Sequence, residues 1–245
     1  MILPLVNVFS SPYKAWNTRS ATHAELQEHY GNCGEILFSV NDSLKALITS
    51  HRDAANYMAN HGGDNGLESF VDSYLDRCKS YKSFRDAMPS KTPVALSEYQ
   101  KKYPNYSVQK VDEEINMIGH TLSEGQVLFH GGLWADDNKD EITLTKPFST
   151  SLCSQVALRN AEWRGKAFDA GRIDLFVLRA IYPRTNVFAF RRKGTNMGNE
   201  KEVLFASEAK LVLRNRSLIR SDYSVTNHNH KSKHVPIYII DVDIS

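Results

Sequence analysis

The chain has 245 residues, 41% of them hydrophobic and 24% charged, with 30 Lys+Arg against 28 Asp+Glu for a formal net charge of +2. These are globular proportions; they exclude a collagenous, low-complexity or disordered chain, and the near-balance of charge declares no polyanionic partner by itself. The length allows one large domain or two small ones, while no apolar run approaches the roughly 20 residues of a membrane span, and the opening run to Val6 is too short for a signal-peptide core and is interrupted by Pro4, so a soluble, cytoplasmic protein without a membrane partner is expected.

The first half reads as helical. Asp42 or Ser43 is placed to cap a helix with Leu44, Leu47, Ile48, Ala55 and Met58 on one face, broken by the glycine-rich stretch 61–66. A second helix carries Leu67, Phe70, Val71, Tyr74, Leu75, Cys78 and Tyr81 on one stripe, a pattern expected of core rather than of a binding face, and Pro89 and Pro93 mark its end. Shorter helices over 95–102 and 108–120 follow, with charged outer faces such as Asp112, Glu113 and Glu114. From Gly125 the hydrophobic period falls toward 2, and strands are predicted over 126–129, 142–144, 175–180, 186–190, 203–205, 209–214 and 237–243, with one helix over 154–164 between them. The fold class is α+β: a helical N-terminal region, 1–122, then a strand-rich region, 123–245, built on an antiparallel or mixed sheet. No linker marks them as separate domains.

Cys33, Cys78 and Cys153 are odd in number and far apart, which fits free thiols in a reducing compartment rather than a disulfide framework or a zinc site. The nine histidines show no metal-ligand spacing on a helical stretch, so no metal is expected, and His228, His230 and His234 read as part of a polar loop.

Three segments of the strand-rich half carry polar residues at strand edges: Phe129-His130-Gly131-Gly132, Phe148-Ser149-Thr150-Ser151 and Glu200-Lys201-Glu202. Two carboxylates at i and i+2 of an extended chain point the same way and suit acid–base or cation-stabilising work, although such a pair is commonly just a polar strand start meeting solvent. The long glycine-bearing connection over 190–199 before them has the character of a binding loop. Ser149 could donate a hydrogen bond to a catalytic glutamate, while Ser151 or Ser154 reads equally as a helix N-cap. His130 is either a satisfied strand-end residue or a ligand contact, with Gly131 and Gly132 leaving the backbone open to close approach.

Taken in order and spacing, the three segments resemble the ADP-ribosyltransferase superfamily, over about residues 125 to 215. The second and third match its arginine-serine-glutamate branch, found in bacterial toxins and phage enzymes; the first departs, with His130 where that branch has arginine, and looks more like the Tyr-His-Gly element of the diphtheria-toxin branch. The resemblance implies a split β-sheet core and NAD as substrate, with no metal. It implies Glu202 as the carboxylate that stabilises the ribosyl cation, Ser149 as the group that orients it, and Glu200 as the residue that aligns or deprotonates the acceptor. His130, Gly131, Thr150, Ser151 and Phe148 would face the dinucleotide. Arg159, Arg164 or Arg191 would supply the phosphate contact, and Phe190 or Trp163 would share the nicotinamide role with Phe148.

In the resembled family a glutamate at the first place of the pair accompanies arginine acceptors, so Glu200 favours a protein arginine, and a toxin or effector role leaves room for an antitoxin or immunity protein. Against this, the stretch 210–233 holds Lys210, Arg214, Arg216, Arg220, Lys231 and Lys233 with Asp222 as its sole acid. Such a block reads as a solvated basic loop, or as a track for RNA or DNA, which keeps open a nucleic-acid acceptor and, outside enzymes, a nucleic-acid-binding module. An NAD glycohydrolase, with water as the acceptor, is a further alternative.

Overall fold

The computed structural model describes residues 1–193 and 197–245. Strand β1 (Tyr13–Ser20), helix α1 (His23–Cys33) and strand β2 (Ser39–Ile48) come first, β1 and β2 forming a two-stranded antiparallel sheet of their own. Five helices follow: α2 (His51–His61), α3 (Asn65–Arg77), α4 (Lys79–Asp86), α5 (Val94–Lys102) and α6 (Val108–Ile118). The strand-rich half runs β3 (Val127–Gly132), β4 (Glu141–Thr143), β5 (Phe148–Ser151), α7 (Ser154–Glu162), α8 (Lys166–Ala170), β6 (Ile173–Ala180), β7 (Val187–Ala189), β8 (Glu202–Phe205), β9 (Lys210–Thr226) and β10 (Ser232–Ile244). No helix among the described residues is long and apolar enough to cross a membrane.

The N-terminal region is therefore not purely helical. The expected helix starting at Asp42 or Ser43 is a strand as far as Ile48, and the helix begins at His51, where the Ser50 side chain accepts from the Asp53 amide. Leu44 and Leu47, assigned to the helical face, are about half exposed at 49% and 50% on β2. The cap at Ser50 and the antiparallel partner at Tyr13–Ser20 together outweigh a spacing that fits either period. The Leu67-to-Tyr81 stripe does face the core, but as two helices: Cys78 has an extended backbone (φ −76, ψ 113), ends α3 and caps α4 by accepting from the Tyr81 amide.

Eight strands form one mixed sheet in the order β4-β9-β10-β6-β3-β5-β8-β7, with β10 and β6 parallel. Its two parts, β4 to β3 and β5 to β7, touch through a single residue pair, Phe129 opposite Ser151. A sheet joined at one pair is almost split, and backbone groups beside the join that lack ladder partners are left to bond otherwise. Helix α7 packs on β3 and β6, and one apolar cluster unites Met58, Leu75, Phe84, Leu96 and Ile115 of the first half with Phe129, Phe176, Leu204 and Ile239 of the second.

The block at 210–233 is not a basic loop. It is the 17-residue β9 and the turn into β10, and only the turn holds His228 and His230, His234 lying on β10. Four of its cations are paired with acids: Lys210 with Glu141 of β4 (2.7 Å), Arg214 with Asp243 of β10 (2.7 Å), Arg216 with Asp137 of the loop before β4 (2.8 Å) and Arg220 with Asp222 of β9 itself (2.8 Å). Linear charge counting missed most of this because three of the compensating acids, Glu141, Asp137 and Asp243, lie outside the block.

Candidate active site

The three polar segments meet where the sheet is nearly split. His130, next to the joining residue Phe129, reaches across the gap and donates Nδ1–H to the Ser149 carbonyl (2.7 Å). A carbonyl can only accept, so the proton sits on Nδ1 and Nε2 is left as an acceptor. Burial lowers the imidazole pKa to about 4, with Lys166 nearby adding to the effect, so the ring is neutral at physiological pH. It packs on Phe148 (4.4 Å between centroids) and meets Phe176 edge-on (5.0 Å). The two glycines are required by the scaffold: a Cβ at Gly131 would stand 1.7 Å from the Ala157 carbonyl oxygen of α7, and one at Gly132 would stand 2.6 Å from His130 Nε2. Gly131 lets α7 press onto β3, and Gly132 makes room for the imidazole.

Glu202 opens β8 and is only 4% exposed. Its Oε1 accepts from Ser149 Oγ (2.7 Å) and from the Tyr99 hydroxyl (3.3 Å), while Gln100 Nε2 stands 3.5 Å from Oε2. Burial raises this carboxyl to about 7 against the pull of the Ser149 bond, and the neighbouring Glu200 pushes it the same way.

Glu200 reaches the site by a different geometry from the one expected. Residues Gly198–Glu200 form a 3-10 turn and Lys201 has a left-handed backbone (φ 51), so the pair does not lie on an extended chain with both side chains on one strand face. The turn brings the carboxylates together instead. Ser151 Oγ holds it by donating to the Glu200 carbonyl (2.6 Å), and the buried Lys201 ammonium holds it from beneath through Glu68 (2.9 Å), Asp72 (3.3 Å) and the Asn199 carbonyl (2.8 Å). Burial raises the Glu200 pKa, partly offset by the Arg159 and Lys166 cations close by.

Thr150 and Ser151 are each 3% exposed, and their hydroxyls are committed to the carbonyls of Val203 (2.6 Å) and Glu200, so they brace the strands and the turn. Phe190 is core, stacked on Tyr99 and edge-on to Phe188. Arg159 is paired with Glu68 (3.3 Å), and Arg191 donates to the Ser90 carbonyl (2.6 Å) at the lining of a cavity of about 510 Å³ shared with Tyr81, Arg85 and Arg192. Trp163 is 45% exposed, with the Arg164 guanidinium over its ring (4.2 Å) and Lys166 Nζ at 5.7 Å. Of the loop at 190–199, residues 194–196 lie outside the described residues.

Sequence reasoning missed Tyr99, Gln100, Glu68, Lys166 and Lys201. Tyr99 and Gln100 sit on a short helix some hundred positions from the carboxylate they touch, and a lysine between two glutamates reads as a solvated strand start, although the Lys201 side chain is 0% exposed. Away from these strands, His29, Cys33 and Glu35 bring ligand atoms within 4.8 Å of one another at the end of α1.

No family model and no curated protein matches the sequence. Solved structures to which the chain is similar include the Vis toxin, an ADP-ribosyltransferase from Vibrio splendidus (14% identity, TM-score 0.34, covering 93% of this chain and 88% of that one). The enzymatic component C2-I of the C2 toxin from Clostridium botulinum (12%, TM-score 0.38) is matched over 66% of this chain and less than half, 45%, of its own. Plx2a, an ADP-ribosyltransferase toxin from Paenibacillus larvae (11%, TM-score 0.32), is matched over 61% and 78%. At these scores the likeness carries no functional argument, and the chemistry has to be read from the site itself.

Proposed function

We propose that the protein is an NAD-dependent mono-ADP-ribosyltransferase that passes ADP-ribose to a macromolecular acceptor, a protein arginine, in a toxin or effector role. The observation that carries this reading is a buried carboxylate, Glu202, held by Ser149 Oγ at 2.7 Å, with Glu200 near enough to raise its pKa and His130 anchored on the Ser149 carbonyl. Breaking the nicotinamide–ribose bond builds positive charge on the ribose, and an ionised carboxylate beside it in a water-poor site stabilises that charge strongly. Glu202 has the burial and the orientation for this.

His130, neutral and with Nε2 as acceptor, can take a hydrogen bond from a ribose hydroxyl, which an arginine at this place could not do. Phe148, packed on that imidazole, offers a ring face to nicotinamide. For the pyrophosphate, Lys166 is close enough to act on both His130 and Glu200 and makes no ion pair among the described residues, while Arg164 lies over the neighbouring Trp163 ring. Glu200, with its pKa raised, can align a guanidinium and accept the proton it loses as nitrogen attacks the ribose, while nicotinamide departs neutral. The nucleic-acid readings drew on the 210–233 block, four of whose six cations are engaged in ion pairs.

The test is incubation with NAD labelled in its adenosine moiety and cell lysate, the products then treated separately with protease and nuclease. Protease-sensitive label is expected, and Glu202→Gln should reduce labelling and nicotinamide release by about 10²- to 10³-fold. Absence of nicotinamide release, or a Glu202→Gln variant within a few-fold of the parent, overturns the reading; release without labelling makes the protein a glycohydrolase.

A further inference from the structure

Glu202 is fixed by groups from two regions of the chain. Ser149 belongs to β5 in the strand-rich half, whereas Tyr99 and Gln100 belong to α5 in the helical half. Tyr99 is 6% exposed and tightly framed: its ring is edge-on to Tyr106 (4.8 Å) and Tyr103 (5.9 Å) and stacked on Phe190 (6.4 Å), the residue whose amide donates to the Glu202 carbonyl (3.0 Å). Burial and the facing carboxylate push the phenol pKa well above its ordinary value, so the hydroxyl stays a donor at every working pH. The two shorter contacts, from Ser149 and Tyr99, converge on Oε1, and among the described residues Oε2 has only the 3.5 Å approach of Gln100.

From this asymmetry we propose that Tyr99 is a positioning residue of the active site: with Ser149 it pins Oε1 of Glu202, so that Oε2 is the oxygen presented to the ribose, and α5 of the helical half is thereby an integral part of the catalytic centre. The inference rests on the transferase reading, and it assigns a catalytic purpose to the half of the chain in which the sequence shows no motif. A carboxylate with a single donor can rotate about its last torsion; two donors on one oxygen restrict which lone pairs face the substrate. Hydrogen bonds to the ionised form also favour ionisation, so Tyr99 keeps more of Glu202 in the active state near neutral pH.

The experiment compares the parent with Tyr99→Phe, which keeps every ring contact and removes only the hydroxyl, its unfolding transition being checked against the parent. Nicotinamide release is measured from pH 5.5 to 9. The variant should lose roughly tenfold to a hundredfold in kcat, as expected for a hydrogen bond to a charged group, with the KM for NAD nearly unchanged. The acid limb of its pH–rate profile should move to higher pH, because the carboxylate has lost a donor. A merely structural tyrosine would not move that limb. If the parent is active and the Tyr99→Phe profile superimposes on it with kcat within about twofold, the positioning role is wrong while the transferase reading stands. If the parent releases no nicotinamide and Glu202→Gln behaves identically, both fall together.

Discussion

Replacing Glu202 by glutamine should stabilise the fold while destroying its activity, and the gain should depend on pH in a way set by the burial of the carboxyl. In the unfolded chain the group titrates near its ordinary 4.5, and in the folded protein at about 7. The sign follows from that order. Below the unfolded value both states hold the proton and the residue costs nothing; between about 4.5 and 7 the unfolded state alone releases it, so stability falls as pH rises; above about 7 the penalty is constant. At about 1.36 kcal/mol per unit, the full penalty is about 3 kcal/mol, reduced to about 1 kcal/mol at pH 5. Glutamine keeps the acceptor for Ser149 and Tyr99 and carries no ionisation penalty; only the Gln100 amide has to turn over to face the new NH₂ group. Urea unfolding of parent and variant at pH 5 and pH 8.5 measures the difference, titrations not coupled to Glu202 cancelling in the comparison. A gain of about 3 kcal/mol at pH 8.5, or about 6–12 °C in midpoint for a chain of this size, is expected, shrinking toward 1 kcal/mol at pH 5. An equal gain at both pH values, or none at pH 8.5, would refute the raised pKa and with it the idea of a carboxylate held against its solvation.

Three further outcomes follow from the same geometry. Glu200→Ala should cripple transfer but leave measurable NAD hydrolysis, because water can capture the ribosyl cation without an aligned nucleophile; Glu200→Gln should also lose transfer if a guanidinium is the acceptor, and full transfer by that variant would redirect the search to other acceptors. His130→Ala should weaken NAD binding by calorimetry for every acceptor alike, and an unchanged affinity would reduce His130 to a strand-end residue. Lys201→Met leaves Glu68 and Asp72 facing each other around an apolar chain, and should cost about 2–3 kcal/mol in urea unfolding, the low side for a broken buried pair because Asp72 is 38% exposed, while also lowering kcat through the loosened turn; unaltered stability would contradict the ion-pair anchor.

Much of the strand-rich half is legible in the sequence because its signals are local. Short runs of apolar, β-branched and aromatic residues give the strands over 175–180 and 203–205 nearly as they stand, at Ile173–Ala180 and Glu202–Phe205, and the helices over 95–102 and 108–120 begin and end within two residues of their expected bounds. The failures occur where a partner distant in sequence decides. Leu44, Leu47 and Ile48 satisfy a helical spacing, and only their pairing with Tyr13–Ser20 makes them a strand. The stretch after Arg214 looks like a loop because Asn215, Arg216, Ser217 and Arg220 are polar; as β9 it is paired with β10 and its cations meet Asp137, Asp243 and Asp222.

The site shows the same division more sharply. Ser149 and Glu202 could be picked out because each belongs to a short motif, and they touch through the expected hydroxyl–carboxylate bond, whereas the geometry of the Glu200–Glu202 pair differs from the extended chain expected. Register places Ser151 opposite Glu202 on paired strands, one join away from Phe129 and hence from His130, so three segments scattered over the last half of the chain arrive at one point through backbone pairing alone. The alignment of the two glutamates depends instead on a left-handed Lys201 whose side chain is pulled inward by Glu68 and Asp72 of α3, and the orientation of Glu202 depends on Tyr99 of α5. Both helices read from the sequence as ordinary amphipathic segments, since a buried tyrosine and an exposed-looking acid carry no mark of what they face. A centre that needs a carboxylate stripped of water, so that its charge acts strongly, and held in one rotamer requires low-dielectric walls around it. A sheet split at one residue pair is open there, and helices α3 and α5 are the elements that close it.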